Sequence, residues 1–188
     1  MGAKEYKREI ASKLVRIFGA NQVKLEWDVA KNSRDDFTRK LYCPRIDIAI
    51  GPFNIKRDVD RDRGEINAAY SRHRYFINKL NAASDIKISA EHLNENPRCL
   101  FAIEIENTGS RKSRLGSIAN AAVIGKIGII VAFTEKSNKS LKKIREYLRF
   151  ATYARKTKEN ISKNVVIISK NDFLGVLEKC VRGLPRRS

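Results

Sequence analysis

The sequence predicts an α/β fold, a mixed central sheet flanked by helices, on three observations. Two apolar strand-like runs, RIDIAIG at 45–51 and LFAIEIEN at 100–107, are short and rich in β-branched residues. From residue 111 to residue 180 helical and strand patterns alternate, the order of an α/β sandwich with parallel strands and right-handed crossovers. An amphipathic helix precedes them all at 3–18. The 188 residues fit a single domain, long enough to bury a core without disulfides.

Each element has its own justification. Tyr6, Ile10, Leu14 and Ile17 recur at helical spacing, and Gly19 stops the helix. Between Gln22 and Ala30, Val23, Leu25, Trp27 and Val29 alternate with Lys24, Glu26 and Asp28, which predicts a strand with one apolar face, Trp27 in the core. Residues 31–40 turn polar and charged, as a loop or hairpin end does, and Gly51-Pro52 closes the next strand. The stretch 54–97 reads as a mainly helical insertion. In it Ile66, Ala69, Tyr70, His73, Ile77 and Leu80 predict one helix of about four turns, an arm beside the active face, with Arg72, Arg74 and Lys79 off its apolar stripe. Then follow a helix over 111–124 with a small-residue packing side, a buried strand over 127–133, and a long basic helix marked by Leu141, Ile144, Leu148 and Ala151. The strand 165–168 and a last helix through Cys180, capped by Ser169 or Asn171, complete the series, and the basic tail GLPRRS reads as mobile.

Against this background three acids stand out. Asp47, Glu104 and Glu106 lie inside the apolar runs, where an unpaired carboxylate is costly to desolvate. Alternation places Glu104 and Glu106 on one face of their strand and sets Asp47 against Ile46, Ile48 and Ile50. With the two strands as neighbours, the carboxylates converge, and hard oxygen donors of this kind suit Mg²⁺ or Mn²⁺ together with phosphate oxygens. Two blander arrangements satisfy the same residues: Asp47 held by backbone N–H groups or by Arg45, and the two glutamates on the solvated side of an edge strand.

Outside the acids the chain is basic. Its 39 Lys and Arg against 21 Asp and Glu give a formal charge of +18, which favours a polyanion, nucleic acid first. No run reaches the roughly 18 apolar residues of a membrane span, and MGAKEYKREIASKL lacks the core of a signal peptide, so a cytoplasmic protein without a membrane partner is expected. Cys43, Cys99 and Cys180 match no zinc or disulfide spacing and read as buried thiols. His73 reads as a partly buried helix residue, and His92 falls in a polar loop.

The ordered set of a first helix, PRIDIAIG at 44–51, AIEIEN at 102–107, the helix after it and GIIVA at 128–132 resembles the PD-(D/E)xK nuclease superfamily, which includes restriction endonucleases and Holliday junction resolvases. The resemblance implies a restriction-endonuclease-like fold, with Asp47 and Glu104 as direct ligands of Mg²⁺, Mn²⁺ being an alternative. The motif's lysine falls at Glu106, as it does in some restriction enzymes, where the glutamate orients or deprotonates the attacking water. Lys112 and Lys24 are the candidates for the missing cation. Family members often use an acid on the first helix, here Glu9, with Glu5 as the fallback. The implied activity is metal-dependent endonucleolytic hydrolysis of DNA in restriction, repair or recombination. RNA as substrate and a non-catalytic nucleic-acid-binding protein of the same fold are the competing readings, and cutting both strands of a duplex makes a homodimer an expectation.

For backbone contact, the segment NTGSRKSRLGS at 107–117 offers amides at a helix N-terminus together with Arg111, Lys112 and Arg114. Arg72 and Arg74 on the insertion form a second candidate surface. The Lys/Arg run over 136–158 is the solvated face of a helix and a third stretch of positive charge.

Overall fold

A five-stranded mixed sheet forms the centre, in the order β1-β2-β3-β4-β5. The computed structural model describes residues 1–29, 44–54, 59–107 and 109–184, and at 59–62 the backbone alone. The expected loop at 31–40, Cys43, Thr108 and residues 185–188 of the tail lie outside the described residues.

The strands are β1 (Val23–Asp28), β2 (Arg45–Phe53), β3 (Cys99–Glu106), β4 (Gly125–Ala132) and β5 (Val165–Ser169). The first three pair antiparallel and the last three parallel, so β3 is the strand where the direction changes. The helices are α1 (Ala3–Phe18), α2 (Val59–Arg72), α3 (Arg74–Ala83), α4 (Arg111–Ile124), α5 (Glu135–Tyr153) and α6 (Lys170–Arg182). Helices α1, α2, α3 and α6 bury their apolar sides against one face of the sheet, around Phe101, Ile103, Ile127 and Ile129. Helices α4 and α5 cover the other face, over Ala102, Ile130 and Ile167. Here the small residues of α4 matter: a Cβ on Gly128 would meet backbone atoms of Ala121 at 2.9 Å, so helix and strand touch almost backbone to backbone.

Four expectations need correction. Gly51 and Pro52 do not end β2, which runs on to Phe53 with a register shift after Ile50. The insertion holds two helices, not one, because the chain breaks at His73, whose ring packs at a tilt against Phe18 at 4.6 Å. Nor is the insertion an arm over the acids. Ile66, Tyr70, Phe76, Ile77 and Leu80 are part of the main core, and Phe76 packs edge-on against Phe101 at 5.1 Å. In β1 the alternation fails at Glu26, whose φ of 48° lies in the left-handed region. Leu25 is therefore exposed while Trp27 is buried against Phe53.

Elsewhere the elements lie where periodicity places them. Ser169 caps α6, its Oγ accepting the Asp172 N–H at 3.2 Å. Cys99 and Cys180 are buried, and burial pushes both thiols up from their ordinary pKa. Among the described residues no helix is long and apolar enough to cross a membrane.

Candidate active site

The site begins where two strands part. The β2–β3 ladder runs from Phe53 opposite Cys99 to Ile48 opposite Ile103. One residue further, Asp47 turns its carboxylate into the seam, and its Oδ2 accepts the backbone N–H of Ile105 at 2.8 Å. A side chain thus takes the N–H that a continued ladder would have used. Its other oxygen, Oδ1, accepts from Lys7 Nζ at 2.6 Å. Lys7 also binds Glu26 Oε1, and Glu26 Oε2 accepts from Arg45 Nε at 3.1 Å.

This arrangement has a sequence logic. Tyr6, Ile10 and Leu14 anchor α1 in the core, and the next residue after Tyr6 sits at the margin of that buried face. Lys7 is consequently half-buried with a long stem, able to carry its charge to the acids. The left-handed backbone at Glu26 costs roughly 1–2 kcal/mol in a residue with a Cβ, and it is retained at the position that pairs with Lys7. Burial alone would depress the lysine, yet its bonds to Asp47 and Glu26 outweigh burial and hold its pKa above the ordinary value.

Glu104 lies beside this pair and is buried. Burial first, and then the negative charge of Asp47, push its carboxyl up to about 8, while a backbone bond from Asp47 and the charge of Lys7 pull the other way. Two carboxylates this close, one buried and one partly exposed, resist ionising together. Glu104 is therefore protonated near neutral pH unless a further positive charge arrives.

Glu106 follows a different course. Two residues along a strand are about 6.7 Å apart, and its Oε2 accepts from Ser117 Oγ of α4 at 3.0 Å. The expected convergence of three carboxylates is thus a pair plus a neighbour. Among the described residues no group of three Asp, Glu, His or Cys side chains is placed to hold a metal ion.

The other candidates divide as follows. Glu9 lies along the helix surface with Lys13 Nζ at 3.5 Å, and Glu5 accepts the Gly2 N–H at 3.1 Å, so both α1 acids are engaged away from Asp47. Lys24 rests over the Phe53 ring at 4.2 Å, so it is not the cation beside Asp47. Arg111 and Lys112 are exposed at the start of α4, the helix that follows the acid strand, whereas Arg114 is buried and donates to Ser140 Oγ at 2.9 Å. Arg114 thus ties α4 to α5. Arg72 and Arg74 flank His73, at the Phe18 end of α1, and Arg74 donates to Tyr70 Oη at 3.1 Å. Phe18 lies eleven positions after Lys7 on the helix, about 16 Å along the axis. These two arginines stand about three helical turns along α1 from the acids.

Lys7 is the residue that sequence reasoning missed. Its signal was its place next to Tyr6 on the margin of the apolar stripe, but four other Lys and Arg of the first helix compete with it for notice until the strands are placed. Comparison with protein-family models, curated proteins and solved structures yields no match.

Proposed function

We propose that this chain is a metal-dependent nuclease acting on DNA, of restriction-endonuclease-like fold, with Asp47 and Glu104 at its centre. The observation that carries the reading is the opened β2–β3 seam, where two carboxylates meet and a lysine from α1 binds the first of them. The donor set fits a divalent cation in its chemistry. Both offer hard oxygens, and burial first, then the charge of Asp47, disfavours the ionised form of Glu104, a cost that a bound cation would offset. Mg²⁺ or Mn²⁺ bound by Asp47 and Glu104 would supply polarisation of the scissile phosphate and a lowered pKa for its water.

The chain's own residues do the rest. Ile105 N–H fixes one Asp47 oxygen, so the carboxylate is oriented before any ligand arrives. Lys7 supplies the cation that the resemblance expects at position 106, since an ammonium beside the first acid can pair with a phosphate oxygen or hold a water. Glu106, fixed by Ser117, borders the pair. The basic surface draws in the polyanion, with Lys112 and Arg111 at the start of α4 as the nearest exposed candidates for backbone contact.

Cleavage of plasmid, single-stranded and four-way-junction DNA with Mg²⁺, Mn²⁺ or EDTA tests this, using the wild type, Asp47→Asn, Glu104→Gln and Lys7→Met. Metal-dependent cutting that disappears in Asp47→Asn and Glu104→Gln, with DNA binding retained, is the expected result. Cutting that survives both substitutions would place the chemistry elsewhere. One observation favours a non-catalytic nucleic-acid-binding protein instead: Lys7 already neutralises Asp47. That reading predicts binding on every substrate and cutting on none.

A further inference from the structure

Helix α5 turns Leu141 and Ala151 to the core, with Ile144 and Leu148 packed beside them. Its opposite side carries three large rings. Tyr147, Phe150 and Tyr153 are 64%, 57% and 86% exposed. Exposed apolar residues scattered singly need no explanation, but a spacing of three places these on one outer stripe of the helix. On the same stripe, toward the N-terminus, lie Lys136, Lys139 and Lys143. Lys139 pairs with Glu135, and among the described residues Lys136 and Lys143 have no ion pair. The exposed segment 155–158 adds further basic residues just past the rings. Rings flanked by lysines at both ends are what a solvated helix face does not need. They are what a nucleic-acid strand with unpaired bases uses: cations for the phosphates and flat faces for the bases.

We propose that the outer face of α5 is a binding platform for single-stranded nucleic acid, with Tyr147, Phe150 and Tyr153 stacking on unpaired bases. The proposal deepens the nuclease reading and rests on its nucleic-acid part. A duplex keeps its bases stacked on one another and offers the rings nothing, so the preferred ligand is a single strand or a duplex with an unpaired stretch. The platform is also placed along a path from the acids. Glu106 pairs with Ala132, Phe133 N–H donates to the Glu106 carbonyl at 3.1 Å, and α5 starts at Glu135. Tyr147 follows twelve residues later, about 18 Å along the helix axis, with the lysine stripe between. A strand whose phosphate lies at Asp47 and Glu104 can run over the lysines and set down its bases on the rings.

The test is fluorescence anisotropy with a labelled oligo-dT and a blunt duplex of equal phosphate count, in EDTA so that no cutting intervenes. It compares the full wild-type chain with the Tyr147→Ala, Phe150→Ala, Tyr153→Ala triple variant. All three side chains are exposed, so the fold is retained, and circular dichroism checks it. Expected is a loss of oligo-dT affinity of about tenfold per stacked ring, with the salt dependence and the duplex affinity unchanged. Restoring aromatic rings as Trp at the three positions should recover binding. Unchanged oligo-dT affinity, an equal loss on the duplex, or no oligo-dT binding by the wild type would overturn the proposal. So would a wild-type dimer that the triple variant turns into a monomer, since the face would then be covered by a second copy. Because cutting plays no part in this measurement, a chain that binds strands through its rings yet cleaves nothing would uphold the platform and refute the nuclease reading.

Discussion

Replacing Glu104 by Gln should make the protein more stable above neutral pH and leave it nearly unchanged below about pH 4. The carboxyl is buried and stands beside Asp47, and its pKa rises from the ordinary 4.5 to about 8. Between those two values the folded chain keeps a proton that the unfolded chain has lost. Stability therefore falls as pH rises through this window, opposite in sign to the usual salt-bridged acid. Each pH unit is worth about 1.4 kcal/mol, so the whole window from 4.5 to about 8 amounts to about 5 kcal/mol. That is a large share of the 5–15 kcal/mol or so typical of a domain. Glutamine is neutral at every pH and close in shape, so it removes the penalty without opening a cavity. Urea unfolding of both proteins at pH 5, 6, 7, 8 and 9 reads the effect. The difference in unfolding free energy should be under about 1 kcal/mol at pH 5, grow by about 1.4 kcal/mol per unit, and level off beyond pH 8. A difference that stays flat from pH 5 to 9 would mean that Glu104 is ionised throughout, and the like-charge argument for the Asp47–Glu104 pair would be wrong.

Two further outcomes follow from the same geometry. Lys7→Met removes the charged donor to Asp47 and Glu26 and should cost about 1.5–3 kcal/mol of stability at pH 7; it should also move the pH at which Glu104 loses its proton still higher, since Lys7 is one of the groups holding that value down. Urea curves for Lys7→Met that match the wild type at every pH would contradict the ion pair. Gly128→Ala places a Cβ against the Ala121 backbone and should lower stability by about 1–3 kcal/mol through overpacking, read as a drop in thermal midpoint, whereas an unchanged midpoint would show that α4 can lift from the sheet at no cost.

Much of the fold was legible because its signals are local. The parallel half, from Cys99 to Arg182, alternates helices and buried strands whose apolar content and glycine or serine boundaries set them apart. The antiparallel half is less legible, at particular residues. Val23, Leu25, Trp27 and Val29 alternate in sequence, but the left-handed φ at Glu26 turns Leu25 outward. That residue also pairs with Lys7 of α1, a tertiary contact which no strand pattern encodes. In the insertion, the stripe from Ile66 to Leu80 keeps helical spacing across His73, so a single helix was the simplest inference; the break follows from packing of the His73 ring on Phe18, a contact between distant segments.

The candidate site shows the same division between local and long-range information. Asp47 and Glu104 were legible as acids in apolar strands, because desolvation makes such residues conspicuous wherever they occur. Their cation was not, because a lysine on a helix surface is unremarkable and the chain has 39 Lys and Arg. What singles out Lys7 is where the sheet ends its ladder. Had β2 and β3 stayed paired past Ile48 and Ile103, Ile105 N–H would have bonded a carbonyl and Asp47 would not have entered the seam. By parting there, the strands give the aspartate an N–H on one oxygen and the Lys7 ammonium on the other. Glu104 is left beside them, its carboxyl raised by burial first and by the charge of Asp47 second. The acids are thus set in place by contacts between segments far apart in the chain, Lys7 of α1, Asp47 of β2 and Ile105 of β3, and that is information no single stretch of sequence carries.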